Sequence, residues 1–245
     1  VDITVQGGIG TSKENQYLID YYNLEKTGWA TPFLLVSEAT LVDHPTRKLL
    51  ANASSDDLYL SKISPLGVPF NAVRGTESET QKLERFDQGR PGSSCPKGYL
   101  VSNTEFSKKP VCTASIFYQK RKIESLKSQK LSEGNLATAI RKVVDKVCLC
   151  EDLAAGALLD NDIQNKRSLK PAVCPGPNLA YFSKSFTLKE MVGHIYGRVN
   201  LLNDKYRPNL FISELKMYVK YFKNEINNVY HEPTNLDIKY LQRFK

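Results

Sequence analysis

Val5-Gln6-Gly7-Gly8-Ile9-Gly10-Thr11-Ser12-Lys13-Glu14-Asn15-Gln16-Tyr17-Leu18-Ile19-Asp20-Tyr21-Tyr22 reads as the end of a strand, a glycine turn and a helix capped by Thr11 or Ser12. Upstream, residues 2–6 alternate weakly, as a short strand does. Downstream, Gly28-Trp29-Ala30-Thr31-Pro32-Phe33-Leu34-Leu35-Val36 is apolar, short and bounded by turn residues, which predicts a buried strand over 29–36 with Pro32 near its end. Strand, glycine turn, helix and strand follow the grammar of a parallel sheet, so residues 2–6 and 29–36 are expected to be adjacent parallel strands joined by a helix near 12–23. A diglycine turn at such a place suits phosphate. The missing Cβ atoms let the backbone come close, and free N–H groups at the helix start can donate to an anion.

Outward from this unit, a short helix is expected over Pro45–Asn52 and an extended piece over Leu58–Ile63. Residues 64–110 are rich in Gly, Pro, Ser and Asn, which predicts a loop-rich connector. The division expected is 1–75 for the α/β part, 76–115 for the connector and 116–245 for a mainly helical region. Helices are predicted over 118–130 and 135–147. A further one opens with the capping box of Thr187 and Glu190. Phe211, Leu215, Tyr218, Phe222, Ile226 and Val229 recur at spacings of three and four and are expected to face the core.

The chain has 245 residues, 41% apolar and 24% charged, which excludes a disordered chain and a disulfide-built scaffold. No run approaches ~18 apolar residues, so no membrane span is expected. Five cysteines, with no secretory signal, point to reduced thiols and a cytoplasmic protein. The net charge of +8 is uneven: residues 1–81 carry 6 basic and 10 acidic groups, residues 82–147 carry 14 and 6, and residues 148–245 carry 14 and 10.

The succession Gly7-Gly8-Ile9, Thr31-Pro32-Phe33-Leu34, Ser37-Glu38-Ala39, His44-Pro45-Thr46-Arg47-Lys48-Leu49-Leu50, Asp56-Asp57-Leu58-Tyr59-Leu60 and Gly67-Val68-Pro69-Phe70-Asn71 resembles the closing segment of nitronate monooxygenases, also called 2-nitropropane dioxygenases. These are FMN-dependent TIM-barrel oxidoreductases, and the likeness covers residues 3 to 75. The resemblance implies that residues 1–75 hold the last two βα units of a TIM barrel, an incomplete barrel in this chain. It also implies that Gly7, Gly8, Ile9, Ala30 and Thr31 hold the FMN phosphate by backbone donors, and that Glu38 fixes the loop after strand eight. Ala30 stands where the family has Gly. The family's catalytic His and first six strands have no counterpart here, so the catalytic residues stay unknown, an N-terminal remainder of the barrel is required as partner, and this segment alone is expected to be inactive. The substrate implied is a small molecule.

Other residue types give rival readings. Cys148, Cys150 and Cys174 form no CxxC pair, and the three are expected to be ordinary buried thiols without metal, with Cys95 and Cys112 further off. His194 is expected off the apolar face of its helix. His44 and His231 sit at a helix start and in a turn, and none of the three belongs to a triad pattern. Lys120-Arg121-Lys122, with Phe117 and Tyr118, makes a basic partner-docking or polyanion-binding module the alternative function. No nucleic-acid motif accompanies the run, so nucleic acid is not expected as a partner.

Overall fold

A computed structural model describes residues 2–163, 169–204 and 206–230, so His231 lies outside the described residues. Strand β1 (Thr4–Gln6) leads through the glycine turn into α1 (Ser12–Tyr22), and β2 (Lys26–Gly28) returns beside β1. Their pairing is parallel, with Thr4 opposite Lys26, Val5 opposite Thr27 and Gln6 opposite Gly28. Thr11 is the N-cap of α1, its hydroxyl accepting the Glu14 N–H at 3.1 Å. Asn23 ends the helix in the left-handed region at φ 49°.

The parallel β-α-β order is therefore present, but its second strand is residues 26–28 rather than 29–36. The apolar stretch after Gly28 forms a 3₁₀ turn over Thr31–Leu35. Pro32 causes the difference: its fixed φ suits the first turn of a helix, and it has no N–H for a sheet ladder. The stretch is buried all the same, with Leu35 and Val36 fully enclosed.

Helix α2 (His44–Asn52) starts on Asp43, whose carboxylate accepts the Thr46 N–H at 3.1 Å. Strands β3 (Leu58–Ser61) and β4 (Phe70–Val73) pair antiparallel, Leu58 with Val73 through Ser61 with Phe70. The expected connector contains a full helix, α3 (Glu77–Asp87), opened by Thr76. Helices α4 (Ile116–Lys127), α5 (Glu133–Val144), α6 (Leu149–Asp160), α7 (Leu188–Ile195) and α8 (Leu210–Tyr230) follow. The Thr187–Glu190 capping box of α7 is present in both directions. Among the described residues the strands form two separate two-stranded sheets, and no barrel closes.

The main core unites distant sequence. Leu35, Val36, Leu50 and Val73 pack with Leu179, Phe182, Phe186 and Met191. Each such side chain contributes about 1.5–3 kcal/mol by leaving water. Residues 1–75 thus share their largest core with the region after residue 170. A smaller cluster of Ile9, Leu18, Leu24 and Leu210 fastens α8 to the β1–α1–β2 unit. No helix among the described residues is long and apolar enough to cross a membrane.

Candidate functional site

Gly7 and Gly8 follow β1 with φ of 95° and 72°, a region open to glycine at little cost. Because Gln6 is in register with Gly28, the glycine turn and the Trp29-Ala30-Thr31 turn leave the two strands side by side at their carboxyl ends. A Cβ built on Gly7 would meet nothing within 4 Å, so that face of the turn is open.

The other face is not. The carbonyl of Gly8 accepts Arg207 Nη2 at 3.1 Å and the Asn178 amide, and the carbonyl of Gly10 accepts His194 Nε2 at 2.9 Å. The peptide planes are trans, so the Ile9 and Thr11 N–H groups point away from those partners. Arg207 reaches further, donating through Nε and Nη2 to Asn178 Oδ1 at 2.9 and 2.7 Å and through Nη1 to Glu14 Oε1 at 2.8 Å. Glu14 in turn accepts the N–H groups of Gly10 and Leu210, each at 2.8 Å. The ion pair is deeply buried, with the Arg207 side chain 4% and the Glu14 side chain 12% exposed. A Cβ on Gly10 would sit 2.5 Å from the Arg207 guanidinium, so any side chain there would displace the arginine from its bonds.

His194 is buried at 3% exposure, contrary to the expectation that it lies off the apolar face. Its Nδ1 accepts the Leu201 N–H at 3.2 Å, which places the ring proton on Nε2, facing Gly10. Both ring nitrogens are therefore engaged in holding backbone.

At the second turn, Ala30 is exposed, and the Thr31 hydroxyl accepts the Gly176 N–H at 3.0 Å. Glu38 accepts the Leu188 N–H and so ties its loop to the start of α7. Residues 176–178 thus bridge the two turns, Gly176 holding Thr31 and Asn178 holding Gly8. Asn15 completes the frame, its Oδ1 accepting from the Thr27 hydroxyl and from Trp29 Nε1.

Glu14, Asn178, His194 and Arg207 were not singled out for this place by sequence reasoning. The spacing Thr11-x-x-Glu14 offers a signal for Glu14, that of a capping box, with the carboxylate reaching Gly10 rather than the cap itself. Asn178, in a 3₁₀ turn that starts at Pro177, and Arg207, beside Pro208, carry no periodic signal.

The cysteines group differently from expectation. Cys112 has Cys95 as a thiol hydrogen-bonding neighbour and feels the Cys148 thiol as well, and burial pushes it up to about 11, a neutral thiol at neutral pH. Cys148 is buried, Cys150 half-buried and Cys174 exposed, so the three expected to be alike are not. No group of three His, Cys, Asp or Glu among the described residues could hold a metal ion. In the basic run, Lys122 pairs with Glu105 at 2.6 Å and Tyr118 donates to the same carboxylate at 2.9 Å, leaving Lys120 and Arg121 exposed. No protein-family model and no curated protein matches the chain.

Proposed function

We propose that residues 3–75 are the closing part of an FMN-dependent oxidoreductase barrel similar to that of nitronate monooxygenases, with the helical region braced against it. The observation that carries this reading is the register of β1 and β2, which sets the Gly7-Gly8 turn and the Ala30-Thr31 turn next to one another at the carboxyl ends of parallel strands. Ligand phosphates in TIM barrels sit at that end of the last two strands. The exposure of the pair supports the same reading. Parallel sheets are normally covered on both faces, yet Thr4, Gln6 and Lys26 face solvent and Ile3 is 60% exposed. Further βα units packing on that face would suit it.

The residues of the first turn fit a phosphate cradle, since Gly7 is exposed, left-handed and open in front. There Gly7, Gly8 and Ile9 would hold the phosphate by backbone N–H groups, while Ala30 and Thr31 contribute backbone alone because the Thr31 hydroxyl is taken by Gly176. When bound, the flavin supplies the redox chemistry. Arg207, Asn178 and His194 fix the carbonyls on the rear of the turn. A buried thiol such as Cys112 suits a reducing, cytoplasmic setting.

The test is the flavin content of the protein in its full natural length. Gly7→Val is the decisive variant: any side chain at φ 95° strains the turn, but this one fills the open face without touching α8, whereas a Cβ on Gly8 would come within 3.5 Å of Glu214. Circular dichroism checks that the variant folds. The expected result is a yellow wild-type preparation and a colourless, folded variant. Equal flavin in both would defeat the assignment of the turn. A colourless wild type that elutes late from heparin would favour the basic docking module instead.

A further inference from the structure

Behind the bridge between the two turns lies a cleft with a volume of about 400 Å³, walled on one side by the β3–β4 hairpin and on the other by α8. Its relation to the glycine turn is set by alternation. Gly176 and Asn178 bond to Thr31 and Gly8, whereas their neighbours Pro175 and Pro177 line the cleft. Likewise Arg207 serves the turn and the adjacent Pro208 the cleft.

The charges around the cleft are of one sign. Arg74 comes from the hairpin wall and Lys216 and Lys220 from α8, and no carboxylate among the described residues lines the space. Lys216 and Lys220 are four apart on one helix, where like charges repel. Ile212, Ser213, Val219, Lys223 and Asn224 occupy the positions where an acidic helical partner would stand, so α8 itself offers these lysines no counter-charge. Neither forms an ion pair among the described residues. Arg74 is held over the Tyr59 ring at 4.6 Å, and Asp57, which feels its charge, is engaged by the backbone and hydroxyl of Ser54. Leu58 from β3 and Met217 from α8 give the cleft an apolar surface, beside the polar Asn71, Ser213 and Asn224.

We infer that this cleft binds a small organic phosphate, its anionic group taken by Lys216, Lys220 and Arg74 and its compact apolar body by Leu58 and Met217. The volume lies within the ~300–1,000 Å³ of small-molecule sites and excludes a folded partner. The inference does not depend on the flavin reading, because the cleft and the open face of Gly7 share no residue.

Calorimetric titration with phenyl phosphate tests it, with phenol as the neutral counterpart. The wild-type chain should bind phenyl phosphate and not phenol. Lys216→Ala with Lys220→Ala should weaken binding about tenfold or more, the size of one lost charge-assisted hydrogen bond. Both lysines are exposed, so this variant should fold, which circular dichroism checks. Gly7→Val should keep the probe affinity. Absence of binding at millimolar probe, unchanged affinity in the double variant, or equal binding of phenol would overturn the inference. Loss of binding in a Gly7→Val variant whose circular dichroism matches wild type would also overturn it, by moving the site to the turn.

Discussion

Asp152 shows how burial governs a single carboxyl. It sits in the first turn of α6 with Ser78 donating to it, and burial, aided by the charge of Glu151, pushes it up from 3.8 to about 6 despite that hydrogen bond. An acid whose folded value is raised holds its proton longer in the native state than in the unfolded chain. Its stabilising contribution is complete below about pH 4 and is lost as pH rises to about 6. Asp152→Asn should therefore gain roughly 2–3 kcal/mol over wild type at about pH 7.5, and little at about pH 4, in urea unfolding. Equal differences at the two pH values would contradict the raised value. Nothing in the sequence marks Asp152, because its partner Ser78 is 74 residues away and burial is a tertiary fact. Thr11 and Thr187 are the opposite case, since a cap and its target lie three residues apart and can be read directly.

At the scale of elements, α8 was legible as a helix and misread as to its face. The spacing of Phe211, Leu215 and Tyr218 suggests a core stripe, yet these are 44%, 58% and 55% exposed. The buried face is the neighbouring one, through Leu210, Tyr221 and Glu225. Two apolar stripes lie side by side on this helix, and its first residue selects between them. Leu210 enters the cluster with Ile9 and Leu18 while its N–H is held by Glu14, which turns Phe211 outward against Tyr17 and Tyr22. Leu215→Lys should then change stability by no more than about 0.5 kcal/mol, whereas Tyr221→Ala should cost about 3 kcal/mol. Thermal or urea unfolding of the two variants checks this, and a large loss in Leu215→Lys would restore the other face to the core. The strand misplaced by sequence reasoning has a similar cause. Lys26-Thr27-Gly28 is too short and too polar to show periodicity, whereas the apolar run after it draws the eye and is bent by Pro32.

Over the whole molecule, the β1–α1–β2 unit is completed by residues almost two hundred positions later. Arg207 is the tie, and its bonds to Glu14, Asn178 and Gly8 are the kind of contact that no local pattern discloses. Arg207→Ala leaves a buried carboxylate without its cation and should cost about 3–5 kcal/mol. Arg207→Lys should recover only part of this, because a single ammonium cannot replace a fork that serves three residues. The measurement is the urea midpoint together with near-ultraviolet signal from Trp29, which lies against His194 at 6.1 Å. A loss below about 1 kcal/mol in Arg207→Ala would show that the joint contributes little.

The same tie has a meaning in time. A ribosome adds about 5–20 residues per second, so the ~200 residues that separate Gly8 from Arg207 take roughly 10–40 s to appear. During that interval the glycine turn exists without its arginine, and Glu14 and the carbonyls of Gly8 and Gly10 are left to water. The β1–α1–β2 unit, made well before Arg207, is thus finished late. A nascent chain stalled before residue 207 would present an open β1–α1–β2 unit to whatever binds unfinished proteins.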